Sequence, residues 1–470
     1  MVRPATLALV AAGALCLVAG ARAPDLYLDH DEVEHLHAAW LTAIGDAPYR
    51  DFAETHNPAI WYAIAPLLPD GDDPATAVLA GRLLMLACTV ASLVLAALLA
   101  RRTGARGDAA LLAPLLLAAS AYWLVYGLQV RPDVPMTTFV LLGLWLGVPS
   151  ASPPGPRRAL AAGVAFGLAT VVLTKAAATG AVLGAAYCLL TAIRSADRRA
   201  WATATAALAA GAVLPLLAFA AWLHGAGLLD AFWTWNFRIQ KPYLLGAGPS
   251  DFGVLEVAAE SIRRDAPLWA ALAAALVHAA LRPAAGRLTL IAAVAAVFAM
   301  TATLRLPNYQ YLFPALALCA PLGAAAFDAI AHRRAAAVAV AVLVTAASAV
   351  AAVGVASLPD NAAQLARMDA VLRLVPPGDT VLASPPHHPI FRRDALYVWF
   401  LNPDLHRALD SLDPGPPCDR YRDDPARLRA APPAAIVTAG AKYHPFYGVG
   451  PLARERYAPT ADPEVLVRVR

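Results

Sequence analysis

The sequence predicts an all-α polytopic membrane bundle of about eleven transmembrane helices, with amphipathic helices on its external surface and a small soluble α/β domain at the C-terminal end. Composition is the first reason: 59% of the 470 residues are hydrophobic and 15% charged, against roughly 45–50% and about 25% in soluble domains. The second is that apolar runs of bilayer length recur and short arginine-rich loops alternate with them. The third is a change at Leu358 to Pro, Arg and Asp with only short apolar segments.

With about 20 apolar residues taken as one span, the runs lie near 5–22, 76–99, 108–127, 134–149, 159–174, 177–193, 201–222, 266–281, 288–304, 312–330 and 335–357. The fourth to sixth are short. The run Ala5 to Ala21 has a short basic start and reads either as a cleavable signal peptide or as an uncleaved first span. The uncleaved span is preferred, because a charged island begins directly after it. The basic loops 101–106, 157–158, 194–199, 282–287 and 332–334 agree on one orientation by the positive-inside rule. They put the N-terminus in the cytoplasm. The first loop 23–75, the Arg131-Pro132-Asp133 turn, Lys175, the loop 223–265, the stretch Arg305 to Tyr311 and the C-terminal part then lie outside. Two domains are expected: a transmembrane module over 1–357 and an external α/β domain over 358–470. In the latter, Asn361 to Leu374 reads as a helix, Thr380 to Ser384 and Ala435 to Ala439 as strands, and Pro385 to Pro389 as a loop.

The first loop is the polar centre of the chain. Asp29, Asp31, Glu32 and Glu34 come with His30, His35 and His37, then Asp51, Glu54, His56 and the Asn57-Pro58 turn follow. Val33, Leu36, Trp40 and Ile44 recur at helical spacing, so Asp31 to Ile44 reads as an amphipathic helix at the membrane surface. Its leading acids serve either as dipole-compensating caps or as catalytic groups. The histidines lack a zinc spacing, while the carboxylates leave a divalent metal ion open and no other cofactor is indicated.

Basic charge is almost all arginine, and Lys175, Lys241 and Lys442 are the only lysines. Lys175 follows the small-residue span GVAFGLATVVLT, and a lysine that deep either snorkels or meets an anion. The anion reading makes it a contact for a lipid phosphate at the mouth of a lateral groove, with Gly163, Gly167 and Ala169 making room for an isoprenoid chain. Asp133 sits where a span emerges, with an ion pair to Arg131 as its simplest role. Trp233 to Tyr243, WTWNFRIQKPY, interleaves rings with Arg238 and Lys241. It either clamps a lipid head group or anchors at the interface. Arg305, Tyr309 and Tyr311 carry the same two readings. No phosphate-cradling loop, dinucleotide fingerprint or nucleophile elbow occurs, which leaves nucleotide chemistry and nucleic-acid partners without support. The five cysteines give no disulfide framework.

The topology across the chain, and most specifically the first external loop, resembles the GT-C superfamily of membrane glycosyltransferases, in the branch of protein O-mannosyltransferases, the lipid A aminoarabinose transferase and related bacterial envelope enzymes. The resemblance rests on Asp31-Glu32 opening a helix, then GDAPYRDF and HNPA, in that order. It implies a GT-C bundle in a bacterial inner membrane that moves a sugar from a polyprenyl-phosphate donor to a lipid, glycan or protein acceptor on the external face, with inversion as the expected stereochemistry. By position Asp31 corresponds to the catalytic base and Glu32 to its neighbour, while Asp133 and Lys175 match an acid and a lysine of bacterial members. Lys175, Arg238, Lys241 and Arg305 are therefore expected on the donor phosphate, and Asp51, His56, Asp133, Tyr309 and Tyr311 on substrate. A transporter of a lipid-linked saccharide is the competing reading. It calls for polar residues within the spans near the midplane, whereas here they gather at the span ends.

Overall fold

The computed structural model describes residues 4–149, 152–193, 195–240, 253–304, 308–330, 334–400, 403–411, 416–439 and 449–469. Helices stand at each predicted apolar run. The first part of the chain forms α1 (Pro4–Arg22), α2 (His30–Ala43), α3 (Ala59–Ile64), α4 (Pro74–Thr103), α5 (Leu112–Ala118), α6 (Ala121–Tyr126), α7 (Asp133–Gly147), α8 (Pro156–Val172), α9 (Ala177–Ile193), α10 (Arg198–Gly225) and α11 (Leu229–Trp233). Further apolar helices follow at Ala266–Leu281, Ala285–Ala302, Phe313–Ile330 and Arg334–Ala356. Among the described residues, the segments Pro74–Thr103, Thr174–Ile193, Arg198–Gly225, Ala285–Ala302 and Tyr309–Ile330 are long and apolar enough to cross a membrane.

Local chemistry explains the boundaries. Asp73 caps α4 by accepting from Thr76 N, Pro74 opens the helix, and Gly104, in the left-handed region at φ 111°, ends it. Phe313–Ile330 is the central post, buried on every side from Phe313 to Ala326, and Trp123 stacks on Phe313 at 3.9 Å. The helices α8 and α10 meet backbone to backbone. A Cβ at Gly163 would lie 2.0 Å from Leu208 O, and one at Gly211 would lie 2.1 Å from Leu160 O. Small residues are what this approach requires.

After Leu358 the chain builds a five-stranded sheet in the order β2-β1-β3-β5-β4, from β1 (Thr380–Leu382), β2 (Arg393–Asp394), β3 (Ala435–Val437), β4 (Tyr457–Pro459) and β5 (Val465–Arg468). β1 runs parallel to β2 and β3, while β5 is antiparallel to β3 and β4. Helix Ala362–Leu374 contributes Val371 to the core formed with Val381, Val437 and Val465. The sheet part is fastened to the segment between α1 and α4: Gln364 exchanges two hydrogen bonds with the Leu28 backbone, at 2.8 and 3.0 Å, and Arg392 Nη1 donates to Asp72 at 2.5 Å.

α2 departs from the amphipathic expectation. Glu32 through Ala39 and Leu41 are buried, on all faces of the helix. Val33 and Leu36 of the apolar stripe are fully buried, Trp40 is half-buried and Ile44 exposed, while the polar side is covered as well, by Arg82 at Glu32 and by Ile390 and Asp394 at His37.

Candidate active site

The acidic end of α2 is fixed by its own sequence. Asp29 is the N-cap, accepting from Asp31 N at 3.1 Å, and Glu32 returns the bond by accepting from Asp29 N at 3.2 Å. This reciprocal cap satisfies two free N–H groups. Arg131, buried and just before α7, donates to Asp31 at 2.5 Å and also to Asp29. The expected Arg131–Asp133 pair is therefore replaced: Asp133 is the first residue of α7 and accepts from Lys175 instead. Lys175 Nζ also lies 4.4 Å from the centre of the Tyr311 ring.

These groups meet because the loop after α2 is tied to the end of α8. Asn57 Nδ2 donates to Thr170 O and Val171 O, at 3.1 and 3.0 Å. The chain then leaves α8, turns through Thr174–Ala176 and presents Lys175. The result is a cavity of about 510 Å³ whose lining includes Asp31, Glu34, His56, Asp133, Lys175 and Tyr311.

Two electrostatic units share it. Burial alone would raise the Asp31 carboxyl, but the Arg131 guanidinium, aided by His30 and His56, holds it at about 2. Glu34, Glu54 and His56 form the other unit. His56 Nδ1 lies 3.1 Å from Glu54 Oε2 and 3.4 Å from Glu34 Oε1. Burial and the neighbouring Glu54 push Glu34 up to about 8. Burial would lower His56, yet the two carboxyls raise it well above its ordinary value. The unit thus holds a proton on Glu34 and a charge on His56 at neutral pH. His35 is buried beside them, accepts from Trp61 Nε1 at 3.0 Å and is held at about 3 by burial and by His56, so it stays neutral.

Among the described residues, Glu34 Oε1, Glu54 Oε1 and His35 Nε2 are buried without a hydrogen-bond partner. The trios His30, Asp31, Glu34 and Glu34, Glu54, His56 each place their ligand atoms within 4.8 Å of one another. Carboxylate with imidazole is a donor set that suits a divalent cation, and these residues could hold one.

Several expected site residues lie elsewhere. Glu32 is fully buried in a two-pronged pair with Arg82, at 2.9 and 2.7 Å, and also accepts from Val130 N. It faces the helix bundle rather than the cavity. Asp51 pairs with Arg50 at 2.9 Å and accepts from Ala47 N at 2.8 Å, which makes it a turn residue. Arg238 is exposed, while its neighbours Phe237 and Gln240 line the cavity. Tyr309 lies under Arg264, 5.1 Å from its guanidinium, outside the lining. Lys241 and Arg305 lie outside the described residues. The sequence reading missed Arg82, although a lone arginine in an apolar run is itself a signal of a buried partner. It also missed Phe400 and Leu405, which bring the C-terminal part into the cavity wall.

An apolar groove of about 370 Å³ runs between α8, α9 and α10, lined by Gly167, Thr170, Ala177, Gly180, Ala181 and Gly184 among others. Of the small residues expected to make room there, Gly167 lines it. Gly163 is spent on the contact with α10, and Ala169 is buried away from it.

A family profile described as dolichyl-phosphate-mannose-protein mannosyltransferase matches residues 75–224. A sequence search of characterised proteins finds no match. Among solved structures, ArnT from Cupriavidus metallidurans bound to undecaprenyl phosphate superposes with a TM-score of 0.69 at 16% identity, over 98% of this chain and 97% of that one. Its apo state gives 0.64 at 16% identity, over 99% and 98%. The Archaeoglobus fulgidus oligosaccharyltransferase tethered with an acceptor peptide gives 0.58 at 12% identity, over 98% of this chain and 74% of that one. The chain has the fold of these structures, the GT-C bundle with a small C-terminal sheet that the sequence led us to expect.

Proposed function

We propose that the protein is a membrane glycosyltransferase that takes a sugar from a polyprenyl-phosphate carrier and passes it to a lipid, polysaccharide or protein acceptor of the cell envelope. The observation that carries this reading is the shared cavity: a lysine at one wall and acids at the other, beside an apolar groove fit for a lipid chain. Lys175 receives the donor phosphate, with Asp133 and Tyr311 holding its ammonium in place. The acceptor hydroxyl attacks the anomeric carbon, the bond from that carbon to the phosphate oxygen breaks, and its electron pair stays on the phosphate. The hydroxyl proton passes to Asp31. A carboxylate held so low accepts this proton late, once C–O bond formation has made the oxygen strongly acidic. Attack opposite the departing phosphate inverts the anomeric centre. The basic loops support a cytoplasmic N-terminus and a site on the outer face of a bacterial inner membrane.

The test is transfer from a polyprenyl-phosphate sugar in proteoliposomes, with candidate acceptors chosen by mass spectrometry of envelope glycans in a deletion strain. Asp31→Asn is expected to lose on the order of 10²–10⁴-fold in turnover. Undiminished turnover would remove Asp31 as base, and movement of intact donor across sealed vesicles without bond cleavage would favour a transporter.

A further inference from the structure

The segment Pro385 to Phe400, PPHHPIFRRDALYVWF, brings the C-terminal region against the cavity and the loop that builds it. His30, which lines the cavity, has its Nδ1 3.1 Å from Pro385 O. Tyr397 accepts from Ala53 N at 3.0 Å through its carbonyl and donates its hydroxyl to Tyr49 O at 2.5 Å. Tyr49 has a left-handed backbone, φ 66°, which a non-glycine residue keeps only when its surroundings hold it. Phe400 closes the cavity wall.

Between these contacts lies a buried trio. His37, on α2, has Nδ1 2.5 Å from Ile390 O and Nε2 2.7 Å from Asp394 Oδ2. His388 Nε2 lies 3.0 Å from the other Asp394 oxygen, and Ile390 N donates to His388 Nδ1 at 3.1 Å. Both imidazoles are fully buried, their rings 4.0 Å apart, with Trp399 edge-on to His37 at 4.6 Å.

We propose that this trio is the joint that sets α2 against the C-terminal region, so that Asp394 and His388 are positioning residues for the transfer that α2 carries out at its acidic end. The proposal rests on the transferase reading. Both ring nitrogens of His37 face oxygens of the C-terminal part, Ile390 O and Asp394 Oδ2. Burial would raise the Asp394 carboxyl, but His388 and His37 hold it below its ordinary value. His388 stays neutral, pushed down to about 4 by burial and by His37. A metal ion is the other use for such a trio. The backbone argues against it. Because Ile390 N–H points at Nδ1 of His388, that nitrogen presents its lone pair and the proton sits on Nε2, where a metal would have to bind. The adjacent charges are engaged outward, Arg393 with Asp46 at 2.8 Å and Arg392 with Asp72.

Asp394→Asn keeps the volume and removes the charge. In the full-length protein in proteoliposomes it should lower kcat about tenfold or more, as a small misplacement of reacting groups does, while the KM for the polyprenyl-phosphate sugar changes less than about twofold. Asp394→Glu should restore part of the rate. Hydrogen exchange over His30–Ala43 should rise while the helix Phe313–Ile330 stays protected, a readout independent of any activity. If Asp394→Asn does not fold, His388→Gln carries the same test with a milder effect. Wild-type kcat in these variants, or a loss of rate with unchanged exchange in α2, overturns the proposal. So does one zinc per chain in the purified protein that disappears with Asp394→Asn. Absence of transfer by the wild type with the exchange effect intact would strike the transferase reading and leave the joint standing.

Discussion

Replacing Arg82 by methionine removes a guanidinium that is 1% exposed and makes five hydrogen bonds: two to Glu32 and one each to Ala23 O, Leu26 O and Tyr27 O. Glu32, fully buried, is left as an uncompensated carboxylate. Breaking such a pair from one side costs about 3–5 kcal/mol, or roughly two to four decades in the unfolding equilibrium. Glu32→Gln strands the guanidinium instead and should cost a comparable amount. The double variant loses both charges together, so its cost should fall short of the sum of the singles by about 2 kcal/mol or more. It will not be neutral, because three carbonyls lose their donor and each orphan costs about 1–3 kcal/mol. Denaturant titration in mixed micelles, followed by tryptophan fluorescence, measures all four corners. Strict additivity, or a cost for Arg82→Met below about 1 kcal/mol, would refute the buried-pair reasoning. The same proteins separate structure from chemistry: folded double variant should keep its turnover, whereas a catalytic Glu32 would abolish it.

Lys175→Ala should weaken binding of a polyprenyl phosphate by about 10- to 150-fold, the worth of one hydrogen bond to a charged group, because it also leaves Asp133 facing the phosphate; titration by native mass spectrometry with an unchanged affinity would contradict the donor assignment. Glu34→Gln should alter the pH dependence of stability. Glu34 ordinarily titrates at 4.5 and is raised to about 8 when folded, so between these values the unfolded chain holds fewer protons and stability falls as pH rises. The slope is at most about 1.4 kcal/mol per pH unit for one proton. His56, also raised, adds to the fall above about 6.5, its ordinary value. The substitution should flatten the limb from pH 5 to 8, measured with a chelator present; an unaltered limb would mean that Glu34 holds no proton in the folded protein.

The helices were readable because each is written as a run of apolar residues, and the sequence placed Asp31, Asp133, Lys175, His56 and Tyr311 at span ends or loops that the fold brings to one cavity. Which cation meets which anion was not readable. Arg131 stands two residues from Asp133 but reaches back to Asp29 and Asp31, since local spacing does not say which way a side chain turns once α7 begins. Glu32 and Asp31 are neighbours in sequence and a helix points them about 100° apart, one toward Arg82 and one toward the cavity. The strands β2, β4 and β5 are two to four residues long and half-buried, too short for alternation to show.

The contacts that close over α2 join residues far apart in the order of synthesis: His30 with Pro385 and His37 with Ile390 and Asp394 are separated by 355, 353 and 357 positions. At about 5–20 residues added per second, the later partner emerges roughly 20–70 s after the earlier one. During that interval Glu32 can already meet Arg82, and Asp29 and Asp31 can meet Arg131, but His30 and His37 lack their partners from the C-terminal part. The trio cannot form on a nascent chain that stops before Asp394, so activity should begin only after that residue has been made. A chain arrested earlier would carry every residue assigned to the chemistry and still lack the surface that holds them in place.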